Sequence, residues 1–389
     1  MSDSRRVYLD NAATSFPKPD AVHKAVLHYL RDLGNAVGRG ATKTGIEVQR
    51  TVDQCRLRAA RLFDVPRPEQ VIFTFNGTDS LNLAIHGLLK PGDVALTTVW
   101  DHNSVLRPLS HFAATGGHTV IIGDDGRGQL DIQQLERELQ VRSVRLVCVT
   151  HASNVTGIIQ PIEEVIRLAH EHGALVLLDA AQTAGHLPMS FSKLNVDLLA
   201  CPGHKGLLGP LGTGLLILRK DLAEELVPIR QGGTGTTSEQ ATQPTTLPDR
   251  FEAGNHNAPG LFGLEAALKW IDEKGVAKIQ LQEEQLAIPL IAGLRSFQGL
   301  TVHSFADDSP RVGVVSVSSE RVDPQVLASL LDEHFQIETR AGLHCSPMAH
   351  EALATKVLGG TVRISMGPFN TVDDIDRTLE AFGQIWAAL

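Results

Sequence analysis

Apolar positions in this chain follow two different spacings in turn. Over 45–63 (GIEVQRTVDQCRLRAARLF) they recur three and four apart, which predicts an amphipathic helix. Over 70–75 (QVIFTF) they run almost unbroken and stop at Asn76-Gly77, which predicts a short buried strand. Similar runs at 93–99, 118–123, 144–151, 174–182, 197–205 and 213–219 predict further strands, and 161–173 (PIEEVIRLAHEHG) predicts a helix stopped by Gly173. Strands that are apolar on both faces and alternate with helices imply an α/β fold with a mostly parallel sheet covered on both sides. After residue 258 the texture changes. A helix near 260–273 leads to a strand at 312–319, a helix at 323–335 and a strand at 361–366, the pattern of a smaller α+β domain. The expected division is a large domain over 18–258 and a small domain built from 1–17 and 259–389.

Open parallel sheets bind ligands beyond the carboxyl ends of their strands. Five polar clusters fall at such ends: Asn76-Gly77-Thr78, Asp101-His102, Ser153-Asn154, Asp179 to Gln182, and His204-Lys205. The stretch 231–250, rich in Gly, Thr and Pro, reads as a long loop of the length that usually carries function. Its GGTG lacks the lysine and the strand–helix frame of a phosphate loop.

Composition narrows the partners. The chain has 389 residues, 42% hydrophobic and 20% charged, enough for a large core and two domains. A net charge of -9 argues against nucleic acid or an anionic membrane as the main partner. No apolar run approaches the ~20 residues of a membrane span, and the N-terminal residues lack a signal-peptide core, so a cytoplasmic location is expected. The four cysteines, Cys55, Cys148, Cys201 and Cys345, are widely spaced without a C-x-x-C, which points to neither a disulfide framework nor a metal cluster.

Asp179 ends five apolar residues of a predicted buried strand. A carboxylate there either caps the next turn or needs a charged or hydrogen-bonded partner. Lys205, in Pro202-Gly203-His204-Lys205-Gly206, is either a packed loop lysine or a sheltered amine able to form a Schiff base. Together the two match the needs of pyridoxal 5′-phosphate (PLP): an amine to carry it and a carboxylate to keep its pyridine nitrogen protonated. Asn76-Gly77-Thr78-Asp79-Ser80 opens a helix whose N–H groups suit a phosphate. His102 is either a helix N-terminal polar residue or a group that stacks on the ring.

At these residues the chain resembles the fold-type I PLP enzymes, and among them the class V aminotransferase group with its cysteine desulfurases and selenocysteine lyases. The resemblance runs from Tyr8-Leu9-Asp10-Asn11-Ala12-Ala13-Thr14 past Val362-Arg363-Ile364-Ser365. It implies that Lys205 anchors the cofactor, that Asp179 pairs with the pyridine nitrogen, and that Gln182 bonds the phenolic oxygen with Asn154 near both that oxygen and the substrate. It also implies that His102 stacks over the ring, that Gly77, Thr78 and His204 cradle the phosphate, and that Arg363 holds the substrate carboxylate. Arg340-Ala341-Gly342-Leu343-His344-Cys345-Ser346-Pro347, with Cys345 18 residues before Arg363, is similar to the loop that carries the desulfurase nucleophile. Cys345 is the expected attacking thiol. Its activator is left open among His102, His344 and Arg340, with Arg340 also a substrate contact.

The implied reaction takes L-cysteine to L-alanine and leaves a persulfide on Cys345 for a sulfur acceptor, with iron–sulfur cluster assembly among the routes it could serve. Selenocysteine lyase, cysteine-sulfinate desulfinase, an aminotransferase or epimerase in which Cys345 is a bystander, and a PLP-binding scaffold are the other readings. Two positions depart from the family pattern. Pro202 replaces a hydroxyl residue, and Glu252-Ala253-Gly254-Asn255-His256-Asn257 has Asn255 where a threonine usually reaches the phosphate of the other subunit. If Asn255 does so, a homodimer with shared active sites is required.

Overall fold

The computed structural model describes residues 5–38, 41–236, 239–304 and 309–389. The first four residues of the predicted small-domain segment, residues 237–238 of the predicted loop, and residues 39–40 and 305–308 lie outside the described residues.

The chain begins with β1 (Val7–Tyr8) and then builds a seven-stranded sheet: β2 (Val71–Thr74), β3 (Val94–Thr98), β4 (His118–Ile122), β5 (Val144–Thr150), β6 (Leu175–Asp179), β7 (Leu198–Pro202) and β8 (Gly214–Leu218). Their spatial order is β2-β8-β7-β6-β5-β3-β4. All neighbours are parallel except β8, which is antiparallel to both β2 and β7. The unbroken apolar runs have a direct cause in the packing. Val176 and Leu178 of β6 join one core with Val147, Val149 and Leu199, while Leu175 and Leu177 join the core on the other face with Leu146 and Leu198. Successive side chains point to opposite faces, so a strand covered on both must be apolar throughout. The strands at 174–182 and 197–205 end earlier than predicted, at Asp179 and Pro202, so Gln182, His204 and Lys205 sit on the turns that follow.

Helices start directly at the rim. Asn76 caps the helix Gly77–Leu88 by accepting from Asp79 N at 2.9 Å. His102 caps Asn103–Ala114 by accepting from Ser104 N at 3.0 Å. Such caps satisfy N–H groups that the first helical turn leaves unpaired.

The remaining strands are β9 (Leu300–Val302), β10 (Val314–Ser319), β11 (Ile337–Glu338), β12 (Arg340–Gly342) and β13 (Thr361–Ser365). Four of them form an antiparallel sheet in the order β12-β13-β10-β9, and β11 pairs in parallel with β1. They have their own core, where Val7 and Leu9 meet Val315, Val317, Leu331, Ile364 and Phe382. An isolated bridge joins Asp10 to Ser365. The seam with the large sheet is tight at Gly157. Its φ is +75°, and a Cβ there would lie 2.5 Å from the Val314 carbonyl oxygen, so only glycine fits. No helix among the described residues is long and apolar enough to cross a membrane.

Candidate active site

A cavity of about 330 Å³ opens where the carboxyl ends of the large sheet face the small one. All the predicted site residues line it except Cys345 and Asn255. The topology explains the convergence. Asn154, Asp179 and Lys205 follow three strands that are neighbours in the sheet, β5, β6 and β7.

Asp179 closes the floor, 4% exposed, with Ala181 N donating to its Oδ1 at 2.9 Å. Burial raises its pKa against that hydrogen bond and the nearby Lys205 amine. Burial also lowers the Lys205 amine to about 8, against the pull of Asp179 and with Arg363 and Arg340 adding to the fall. Gln182 Nε2 donates to Ala12 O at 3.2 Å. A third carboxyl, Asp101, is fully buried beside His102. Thr97 Oγ1, Thr98 N and Thr98 Oγ1 donate to its Oδ2 at 2.8, 2.7 and 3.1 Å, and desolvation pushes it up to about 7.

At the Gly77 end of the cavity, a Cβ on Gly77 would lie 3.1 Å from Pro202 Cδ, so the glycine lets the helix start sit close under the 202–205 turn. Pro202 brings no hydroxyl there. The neighbouring hydroxyls are Thr78 and Ser104, whose oxygens are 2.7 Å apart. Burial lowers His102 to about 3 and His204 to about 4, helped in both by Lys205, so both rings are neutral at pH 7.

Arg363, 1% exposed, points from β13 into the opposite wall. Its Nη2 donates to Asp10 Oδ1 at 2.7 Å and its Nη1 to Asn154 O at 3.2 Å, while Nε is buried without a partner. Arg340 sits directly across the β12–β13 register from it. Two guanidinium groups side by side, one buried, make this wall positively charged, offset in part by Asp10. The partnerless Arg363 Nε, His204 Nδ1 and His344 Nδ1, all on residues that line the cavity, leave donors and acceptors for a polar ligand.

Cys345 follows β12 on a strained turn, with φ of 48° at His344 and 59° at Cys345. The turn is pinned to the large sheet. Asn154 Nδ2 donates to His344 O at 2.7 Å, Ser346 Oγ to Asn154 Oδ1 at 2.7 Å, and Asn103 N to Cys345 O at 2.8 Å. The thiol is exposed, while Cys55, Cys148 and Cys201 are buried and their thiols are pushed up by desolvation. Arg340 Nη2 lies 3.9 Å from Cys345 Sγ. His344 is turned away: its Nε2 meets Thr361 Oγ1 at 3.0 Å, and burial with Arg363 pushes it down to about 2. Of the three activators left open by the sequence, Arg340 is the one in contact.

Asn255 is exposed and lines a different depression with Arg56, Glu252 and His256, so within one chain it does not join the cavity. Sequence reasoning missed Lys18, and it marked neither the Asp10–Arg363 pair nor the threonines that hold Asp101, because nothing local points to those partners.

The family model described as Aminotransferase class-V matches residues 7–378. The chain belongs to that family. Among curated relatives of this class-V member, a probable cysteine desulfurase of Methanothermobacter thermautotrophicus is 33% identical over 97% of this chain and 94% of its own length. One from Aeropyrum pernix is 36% identical over 97% and 94%. Among solved structures, an apo cysteine desulfurase from Thermococcus onnurineus superimposes with a TM-score of 0.92 at 32% identity, covering 99% of this chain and 95% of that one. A cysteine desulfurase of Escherichia coli, in its S-sulfonic acid form, gives 0.88 at 28%, covering 99% and 95%.

Proposed function

We propose that this class-V family member is a PLP-dependent cysteine desulfurase, in which L-cysteine gives its sulfur to Cys345 and leaves as L-alanine. One observation carries the reading: the exposed Cys345 thiol is held by Arg340 at the edge of a cavity that contains a buried carboxylate and a pKa-lowered amine. The donor set fits the cofactor. Lys205 would hold it covalently, Asp179 would face the pyridine nitrogen, Gln182 and Asn154 the phenolic oxygen, and His102 the ring face. Gly77, Thr78 and His204 would hold the phosphate.

When bound, PLP supplies an electron sink conjugated to the amino acid's Cα. The residues do the rest. Arg363 binds the substrate carboxylate and fixes which bonds face the ring. Lys205 Nζ takes the Cα proton, a role suited to an amine near pKa 8. Cys345 attacks as thiolate, with the Arg340 charge beside it. A sulfur–sulfur bond forms as the substrate's Cβ–sulfur bond breaks. The bond pair stays with the carbon fragment, and the proton gained at Cβ balances the one lost from Cys345. In this reading residues 18–258 form the cofactor domain, and 1–17 with 259–389 the domain that carries the thiol. Asn255 reaches the phosphate of a second copy in a homodimer, and a cytoplasmic acceptor removes the sulfur.

The test compares the wild type with Cys345→Ala. The wild type is expected to give sulfide, with reductant, and alanine in equal amounts. The variant is expected to keep its cofactor colour and its spectral response to L-cysteine while turnover falls to background. Unchanged turnover in the variant, or pyruvate in place of alanine, overturns the reading.

A further inference from the structure

The Lys205 side chain is only as well placed as the peptide that carries it, and that peptide is gripped from outside the cavity. His204 O lies 3.0 Å from Ser15 N, 2.8 Å from Lys18 Nζ, and 3.1 Å from both Thr14 Oγ1 and Ser15 Oγ. A carbonyl oxygen has two lone pairs, which the two nitrogen donors satisfy. The Ser15 hydroxyl has one proton to give. Its oxygen accepts from Lys18 Nζ at 2.6 Å and lies nearer to Lys205 O, at 2.9 Å, than to His204 O. The arrangement is therefore a forked chain from one ammonium, with one branch to the His204 carbonyl and the other through Ser15 to the Lys205 carbonyl. Each link polarises the next.

Lys18 is half-buried, and burial lowers its amine to about 8. An ammonium taken from water at that cost needs a compensating use, and its hydrogen bonds go to this peptide and the serine that serves it. The same N-terminal segment spans the cavity: Asp10 holds Arg363 on the opposite wall, and Ala12 O accepts from Gln182 beside Asp179.

We propose that Lys18, acting directly and through Ser15, is a positioning residue for Lys205: the pair fixes the peptides on both sides of Lys205 so that the amine is presented to the cofactor's aldehyde. The inference rests on Lys205 being the cofactor's anchor.

The test uses apoprotein of the wild type and of Lys18→Met, Lys18→Arg and Ser15→Ala. The rate of PLP capture is followed by the visible band, the labelled residue is located after borohydride trapping, and apoprotein melting temperatures and kcat and KM for L-cysteine are measured in parallel. Lys18→Met is expected to slow capture and kcat by about tenfold each, the weight of a charge-assisted hydrogen bond, with KM within about twofold. Lys18→Arg restores both to within about threefold, and Ser15→Ala loses about threefold to fivefold. Ser15→Ala, which removes no charge, carries the test if Lys18→Met does not fold. Capture and kcat at wild-type levels in both variants overturn the inference, as does a lower melting temperature with capture per folded molecule unchanged. A wild type that gains no label at Lys205 overturns the cofactor reading together with this one. A labelled wild type with indifferent variants overturns this one alone.

Discussion

Raising the pH titrates the Lys205 amine, and the rate at which the apoprotein captures PLP must follow it. An ordinary lysine at pKa 10.5 is roughly 0.03% free amine at pH 7, whereas one held at about 8 is roughly 10% free, a gain of about 300-fold in nucleophile. Capture is expected to rise about tenfold per pH unit below 7 and to flatten above about 9. A free lysine ester, run at each pH, removes the cofactor's own titration from the comparison. The signs of two variants follow from charge. Asp179 holds the ammonium on, so Asp179→Asn moves the inflection down. Arg363 pushes it off, so Arg363→Gln moves it up. Lys18 also lies near 8, so its own loss of charge blunts the wild-type rise above that pH; Lys18→Met removes this second titration and leaves the inflection where Lys205 puts it. Between about pH 8 and 10.5 the unfolded chain binds more protons at position 205 than the native one, so apoprotein stability rises with pH across that window. An inflection above about 9.5 refutes desolvation as the dominant cause, and an upward move in Asp179→Asn refutes the sign given to its charge.

Arg363→Lys keeps the charge but loses the planar fork, and KM for L-cysteine in steady-state assays is expected to rise about tenfold or more, with kcat changed less. Arg56 and Glu252, both buried, meet through two hydrogen bonds of 2.7 and 2.8 Å. Arg56→Ala leaves that buried carboxylate with only Phe73 N and His256 as partners and is expected to cost about 3 kcal/mol in urea unfolding.

Much of the fold was legible because burial on two faces writes itself into sequence as an unbroken apolar run. The runs at 174–178 and 144–149 located the centre of the sheet, and the polar residues after each run located its rim. Direction was not legible. The run that became β8 looks like its parallel neighbours, since an apolar stretch has the same pattern read either way. The site was legible where one residue type at one place is chemically unusual, as with Lys205 among glycines. It was not legible where function depends on a distant partner. Asp10 finds Arg363 across 353 positions, and Lys18 finds His204 across 186, so neither leaves a local trace. Nor could sequence rank Arg340 above His344, since that depends on which side chain the turn at Cys345 directs inward.

The pairing of β1 with β11, and of Asp10 with Ser365, sets an order for synthesis. A nascent chain can complete the large sheet soon after residue 218 emerges, with Lys205 already in its turn. The opening strand and Asp10 must then wait, their partners unmade, until residues 337 to 365 have left the ribosome. Ribosome-bound chains halted before residue 337 lack the β1–β11 pairing together with Cys345 and Arg363, and they are expected to meet PLP at Lys205 without turning over L-cysteine.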